Sequence, residues 1–240
     1  MTTKTIGTNL FAAALAFFLA WLLMPGVGVT DAKQILALVS AHRPQVALSV
    51  LSQLLSAVLY VPALLGLASH RWFGKQPSVR LAAGLLLVGA MGSAADAVLH
   101  LLAYAMTAPG LATDASAQVM AFMQGTGLVL LAPLILCFFL GGGLLSFALA
   151  NAGIVSRRSA QLHWVALGVA VLGGQLASHG MLSGRLVGLA ALGCVSAAQA
   201  WLGSVLLRYD PQAHNAAQER ALGERPTVPS PPPRIQPARR

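Results

Sequence analysis

Apolar residues occupy this chain in long continuous blocks, and not at helical or alternating spacing. A helix needs about 20 apolar residues to cross the hydrocarbon core of a bilayer, and elements that are apolar nearly all round face lipid. The pattern therefore predicts an all-α polytopic membrane protein, with a six-helix transmembrane bundle over residues 1–208. The predicted spans are 5–27, 45–68, 79–106, 117–150, 164–182 and 185–207.

Two of these spans need comment. The first follows Lys4 and resembles a signal peptide, but it is too long for a typical signal-peptide core and is predicted to be a span. The fourth is longer than a bilayer requires. Either Pro133 and the glycine run 141–143 kink this helix, or its first turns lie above the membrane.

Composition agrees with lipid as the main solvent. Hydrophobic residues make up 57% of the chain and charged residues 9%, with a mean hydropathy of +0.73. Soluble domains carry about 25% charged residues. The two cysteines, Cys137 and Cys194, both lie inside apolar stretches, and no CxxC motif is present, so neither a disulfide framework nor a thiolate metal site is expected.

The net charge of +9 first suggests nucleic acid, but the positive residues lie in short connections and in the C-terminal region. The positive-inside bias of membrane proteins explains this distribution, so no nucleic-acid partner is expected. It also places the connections after the second and fourth spans, and both termini, on the cytoplasmic side of the membrane. These connections carry His70, Arg71, Lys75, Arg80, Arg157 and Arg158.

The regions outside the spans have two further features. Asp31 and Gln34 have the spacing of a helix N-cap motif before an apolar run, which predicts a short interfacial helix. Residues 209–240 are rich in proline and arginine, and such a composition cannot bury a core. The sequence predicts a disordered cytoplasmic tail there, able to contact anionic lipid.

Asp96 is the only acidic residue in any predicted span. Burying an ionisable group in a membrane is costly, so such a residue indicates function by default. Ser93, His100 and Tyr104 follow the same helical face, and Asp96 and His100 at i, i+4 can contact each other.

Other spans carry polar groups at a similar depth. Gln53 lies in the second span, and Gln175 and His179 are four residues apart in the fifth. These groups predict an outward-facing polar pocket that binds or translocates a small solute or a proton, without enzymatic chemistry. The predicted site residues are Asp96, His100, His179, Gln175, Gln53 and Tyr104.

Two other interpretations remain open. His100 and His179, with Asp96, are candidate ligands for haem or a divalent metal in a membrane enzyme, although no ligand spacing supports this and no cofactor is predicted. Intramembrane polar groups also hold helices together, which suits an assembly subunit or a homo-oligomer. His70 and His163 are interpreted as boundary residues.

Residues 31–72 carry a family resemblance. The outer-loop stretch DAKQILALVS leads through AHRPQVAL into a span that ends in YVPALLGLASHRW. This region, about a sixth of the chain, resembles the DUF4386-like bacterial membrane proteins of six or seven helices. The resemblance implies a bacterial inner-membrane protein without an established activity, and it transfers no catalytic residue.

Overall fold

The structure, a computed structural model, describes residues 1–71 and 73–210. Those residues form eight α-helices and one π-helical turn, with no strand among them. The helices are α1 (Thr3–Leu23), α2 (Ala32–Ala41), α3 (Arg43–Ser69), α4 (Pro77–Met106), α5 (Thr113–Phe122), α6 (Leu128–Asn151), α7 (Arg157–Ser178) and α8 (Gly184–Arg208). The π-helical turn is Met123–Gly127, between α5 and α6.

Six segments of the described chain are long and apolar enough to cross a membrane. They are α1, α3, α4, the continuous segment Thr113–Asn151, α7 and α8. The predicted six-helix membrane bundle is therefore confirmed. The compact unit extends over Met1–Tyr209. The predicted tail lies outside the described residues, apart from Tyr209 and Asp210.

Local chemistry sets the helix ends. Met24 caps α1 in an extended conformation because the next residue is proline, so α1 ends four residues before the predicted boundary at residue 27. Pro44 lies in the first turn of α3, where its missing N–H costs nothing. Helix α7 begins after Ser156, earlier than predicted, and ends before Gly180, whose φ of 71° is in the left-handed region.

The irregular part of the fourth span differs from the prediction. Helix α6 continues through Pro133 and the glycines 141–143, and the interruption occurs instead at the π-helical turn Met123–Gly127. The glycines serve packing, since Gly141 lies directly against the backbone of Leu86 in α4. The overlong span is therefore α5 and α6 joined by one wide turn.

The predicted helix after Asp31 is present as α2. The Asp31 carboxylate accepts a hydrogen bond of 2.7 Å from the backbone N–H of Gln34, which caps the helix. Ile35, Leu36 and Val39 form its buried face, in a small core with residues of α4 and α5.

Within the bundle, α1 packs against α3 and α8, α4 packs against α3 and α6, and α7 packs mainly against α8. Helix α3 shows how these helices are oriented. Its exposed face carries Leu51, Leu55, Val58 and Leu65, while its buried face carries several serines and Gln53. An apolar outside around a partly polar inside is the arrangement that lipid favours.

The spans alternate in direction, so the bundle has two ends. We call the end with connections 70–76 and 152–156 the basic end, and the other, which carries α2, the far end. At the basic end, the His70 ring stacks on Phe73 with the centroids 4.7 Å apart. Burial, then the positive amino terminus and Arg71, lower the pKa of His70 below its usual value.

Acidification should therefore weaken the basic end. The unfolded chain binds a proton at His70 near pH 6.5, but the folded chain binds it only at lower pH. The stability that neutral His70 contributes is present above about pH 6.5 and is lost as the pH falls through the folded pKa. NMR titration of the His70 ring in detergent should show this lowered pKa, and Arg71→Gln should raise it. A pKa at or above 6.5 in the folded protein would contradict the prediction.

Candidate functional site

Three of the predicted polar residues meet between α3 and α4. The Gln53 amide nitrogen donates a hydrogen bond of 2.8 Å to Asp96 Oδ2, and His100 Nδ1 lies 3.1 Å from the Gln53 amide oxygen. Because an amide oxygen only accepts, Nδ1 carries the proton in this contact. His100 Nδ1 is also 3.9 Å from Asp96 Oδ2. We call Gln53, Asp96 and His100 the Asp96 cluster.

Helix geometry brings the Asp96 cluster together. Asp96 and His100 are one turn apart on α4, and their side chains are only 14% and 17% exposed. Gln53 reaches them from the buried face of α3. Two other polar residues on that face have a different task, since Ser49 and Ser56 donate to the backbone carbonyls of Ala20 and Ala13 in α1. These two serines hold helices together, as the structural interpretation predicted.

A cavity of about 170 Å³ adjoins the Asp96 cluster. Its polar lining residues are Gln53, Asp96, Ser93 and Trp21. The Trp21 indole nitrogen and the Ser93 hydroxyl are buried and have no hydrogen-bond partner within residues 1–71 and 73–210. The remaining walls are apolar: Phe17, Gly89, Ile135, Phe138, Phe139 and Leu192. The cavity thus has one carboxylate in its otherwise largely apolar lining.

Sequence reasoning missed Trp21. Its ring meets His100 edge to face, with the centroids 5.5 Å apart, and so fixes the imidazole from the α1 side. Trp21 follows Phe17 by one helical turn near the end of the first span, so the sequence did show two aromatic side chains on one helical face. Aromatic residues at the end of a span are usually attributed to the membrane interface, and not to an interior site.

Tyr104 lies one turn beyond the Asp96 cluster and serves a different contact. The Arg43 guanidinium carbon is 3.9 Å from the centroid of its ring. Arg43 also donates hydrogen bonds to the Tyr104 carbonyl oxygen at 3.0 Å and to the Thr107 hydroxyl at 2.5 Å. Tyr104 therefore helps Arg43 to fasten the start of α3 to the end of α4, at the far end of the bundle.

The structure does not bring Gln175 or His179 to the Asp96 cluster. Both side chains are exposed, and neither lines the cavity. They belong to α7, which packs against α8 and α6, and His179 is the residue that ends this helix. The prediction compared depths along separate helices, but depth does not determine which helices are neighbours.

The candidate metal set is not assembled either. No group of three His, Cys, Asp or Glu side chains in the described part of the chain is placed to hold a metal ion. His100 and Asp96 are close, but His179 is not with them. The described residues therefore offer a hydrogen-bonding site beside a cavity, and no three-residue metal site among them.

A second polar group lies nearer the basic end, and the sequence interpretation of His163 as a boundary residue was wrong. His163 is only 6% exposed, and it is buried together with Tyr60, Ser146 and Gln199. Each of these four residues comes from a different helix. The amide of Gln199 in the middle of an apolar span marks this residue as a candidate from the sequence. Nothing in the sequence predicts that it lies close to His163.

No protein-family model, curated protein or solved structure matched this chain in the three comparisons.

Proposed function

We propose that this protein binds a proton or a small solute in the cavity beside the Asp96 cluster and passes it across the membrane. The observation that carries this proposal is a carboxylate on the wall of a largely apolar cavity inside a membrane bundle. Asp96 lines this cavity together with Gln53, which donates a hydrogen bond to it. Burying an ionisable group in a membrane is costly, so such a residue indicates function by default.

The size of the cavity limits the ligand. Drug-sized ligands occupy about 300–1,000 Å³, whereas this cavity holds about 170 Å³. Such a space suits a few water molecules carrying a proton, or a solute of a few heavy atoms. A carboxylate favours a positive charge, so a proton or a small cation is the preferred ligand.

The Asp96 cluster differs from helix-joining polar groups in the same bundle. Ser49 and Ser56 each donate to one backbone carbonyl of α1, and neither lines this cavity. Asp96 instead lines an open space with a partner that is itself a side chain. This contrast favours a binding site over a purely structural role.

The surroundings of the protein complete the proposal. We infer that the basic end of the bundle and both termini lie in the cytoplasm, because positive residues concentrate at that end. We further propose that the membrane is a bacterial inner membrane, as the resemblance of residues 31–72 implies. The cavity then lies in the outer half of the membrane. The reaction class is transport or binding, with no enzymatic step.

Asp96→Asn tests this proposal. The amide keeps the size of the side chain but cannot take up a proton, so we expect proton or cation flux to fall at least tenfold. The measurement uses purified protein in liposomes that contain a pH-sensitive dye, with an imposed pH or cation gradient.

Asp114→Asn is the matched control. Asp114 lies in α5 and its side chain is 88% exposed, paired with Lys33 at 3.5 Å, away from the cavity. The control should retain the wild-type flux. Equal flux in wild type and Asp96→Asn would refute a binding role for this carboxylate.

A further inference from the structure

His163, Gln199, Tyr60 and Ser146 form a second polar group in the bundle, which we call the His163 cluster. Their exposed fractions are between 0% and 6%. The Tyr60 hydroxyl donates to the Gln199 amide oxygen. His163 Nδ1 lies 3.4 Å from the Ser146 hydroxyl and 3.4 Å from the Ser159 carbonyl oxygen. The cluster therefore joins α3, α6, α7 and α8 through the interior.

The contacts of His163 determine its tautomer. A backbone carbonyl oxygen only accepts hydrogen bonds, so the contact with Ser159 favours the proton on Nδ1. Nε2 is then the bare nitrogen with a free lone pair. This nitrogen is buried and has no hydrogen-bond partner among the described residues. An imidazole with a free lone pair can accept a proton.

Gly142 packs directly against this nitrogen. A Cβ atom at position 142 would lie 2.8 Å from His163 Nε2 and 2.9 Å from the Gln199 amide nitrogen. The amide nitrogen also has no partner within the part of the chain that the structure describes. A hydrogen-bond donor and an acceptor, both unused, thus lie against the same glycine, and any larger residue at this position would press on both.

Phe138 separates the His163 cluster from the cavity at Asp96. Its ring lines that cavity, stacks on Phe17 with centroids 4.8 Å apart, and meets Tyr60 edge to face at 5.6 Å. Gln53 and Tyr60 are two turns apart on the buried face of α3, a rise of about 10 Å. One aromatic layer therefore lies between two polar groups that follow each other along the bundle.

We propose that His163 is a second proton-binding site on the route that begins at Asp96. Nε2 accepts a proton from a hydronium ion arriving from the Asp96 side, which becomes water as the imidazolium forms, and the same N–H bond breaks when a water molecule on the basic side takes the proton. The other ionisable groups nearest along these elements are Tyr60 in the cluster and Arg157 and Arg158 at the start of α7. This inference rests on the proposed function and specifies the proton as the ligand.

Two variants test the inference by proton flux in the dye-loaded liposomes. His163→Gln retains a hydrogen-bonding side chain but cannot hold the transferred proton. Gly142→Ala retains His163 but places a methyl group against its Nε2. Each should lower proton flux at least tenfold. Infrared difference spectra should still show the protonated Asp96 carboxyl in both variants, because the outer site is unchanged.

Gly143→Ala is the matched control. A methyl group at this neighbouring glycine meets the Cβ of His163 at 3.7 Å, which is ordinary contact. This variant should retain wild-type flux and the folded elution volume in detergent. A loss of flux equal to that of Gly142→Ala would show that the flux depends on the packing of α6 in general and not on the contact with Nε2, and would overturn the inference.

The remaining outcomes separate the inference from the proposed function. Normal flux in His163→Gln and Gly142→Ala, with flux lost in Asp96→Asn, overturns the inference and leaves the Asp96 site standing. Normal flux in Asp96→Asn overturns the proposed function. Wild-type protein without proton flux above that of empty liposomes also overturns the inference, while cation flux still tests Asp96.

If both variants fail to fold, nitrogen-15 NMR of histidine-labelled wild type tests the same point. The inference expects a bare Nε2 at His163 that gains a proton as the pH is lowered. A ring that carries its proton on Nε2 throughout the titration would overturn it.

Discussion

Replacing Gly203 with alanine is expected to push α8 away from α1 and to lower the free energy of unfolding by about 2–4 kcal/mol. A Cβ atom at Gly203 would lie 2.6 Å from the backbone nitrogen of Phe11 and 2.8 Å from the Gly7 carbonyl oxygen. Gly7 lies at the same contact, and a Cβ atom added to it would be 2.5 Å from the backbone nitrogen of Leu207. These neighbours are backbone atoms, so a rotamer change cannot relieve the overlap and a helix must move.

Gly84→Ala is the matched control for this effect. Apart from its own helix, no described residue has an atom within 4 Å of a Cβ placed at Gly84, so the methyl group faces open space. Alanine also favours the helix by about 1 kcal/mol relative to glycine. The control should therefore be neutral or stabilising. Unfolding in mixed detergent and sodium dodecyl sulfate, followed by circular dichroism, measures both variants. Equal stability of Gly203→Ala and Gly84→Ala would show that the helices do not cross closely at Gly203.

Replacing Gln53 with leucine should give the second large effect. Gln53 donates to Asp96 and accepts from His100, so one substitution leaves two ionisable side chains without their amide partner in an apolar environment. We expect a loss of about 2–3 kcal/mol in the free energy of unfolding. Flux should fall as well, because Asp96 loses the bond that fixes its orientation.

Two comparisons make the Gln53 result specific. Ser49→Ala removes a single hydrogen bond to Ala20, and intramembrane bonds of this kind contribute about 0.6 kcal/mol on average. A double-mutant cycle of Gln53→Leu with Asp96→Leu should show that the cost of the first substitution falls when the carboxylate is absent. If Gln53→Leu costs no more than Ser49→Ala, the Asp96 cluster is ordinary helix-joining contact.

The close glycine contacts also explain why the bundle depends on small residues. Lipid tails are as apolar as leucine, so helices in a membrane gain little from burying apolar area against each other. Close approach of the backbones gains dispersion energy instead. Gly7 and Gly203 provide this between α1 and α8, and Gly89 and Gly141 provide it between α4 and α6.

Part of the candidate site could be predicted because it follows from one helix. Asp96 and His100 are four residues apart, and α-helical geometry alone places them on one face. Asp96 was found because an acid inside an apolar block is costly wherever the helix packs. Gln53 is a candidate from its predicted depth in the membrane. Its hydrogen bond to Asp96 could not be predicted, because it depends on how α3 packs against α4.

Hydropathy, capping and desolvation are local properties, so the six apolar helices, the cap of α2 at Asp31 and the choice of Asp96 as a candidate site residue follow from the sequence alone. Tertiary packing decides that Gln53 and Trp21 join Asp96 and His100, and that His179 does not. It also decides that His163, expected at a boundary, is buried against Gly142. Helices in a membrane become neighbours where small residues from distant parts of the chain allow close packing. The depth of a residue along one helix carries no information about that packing.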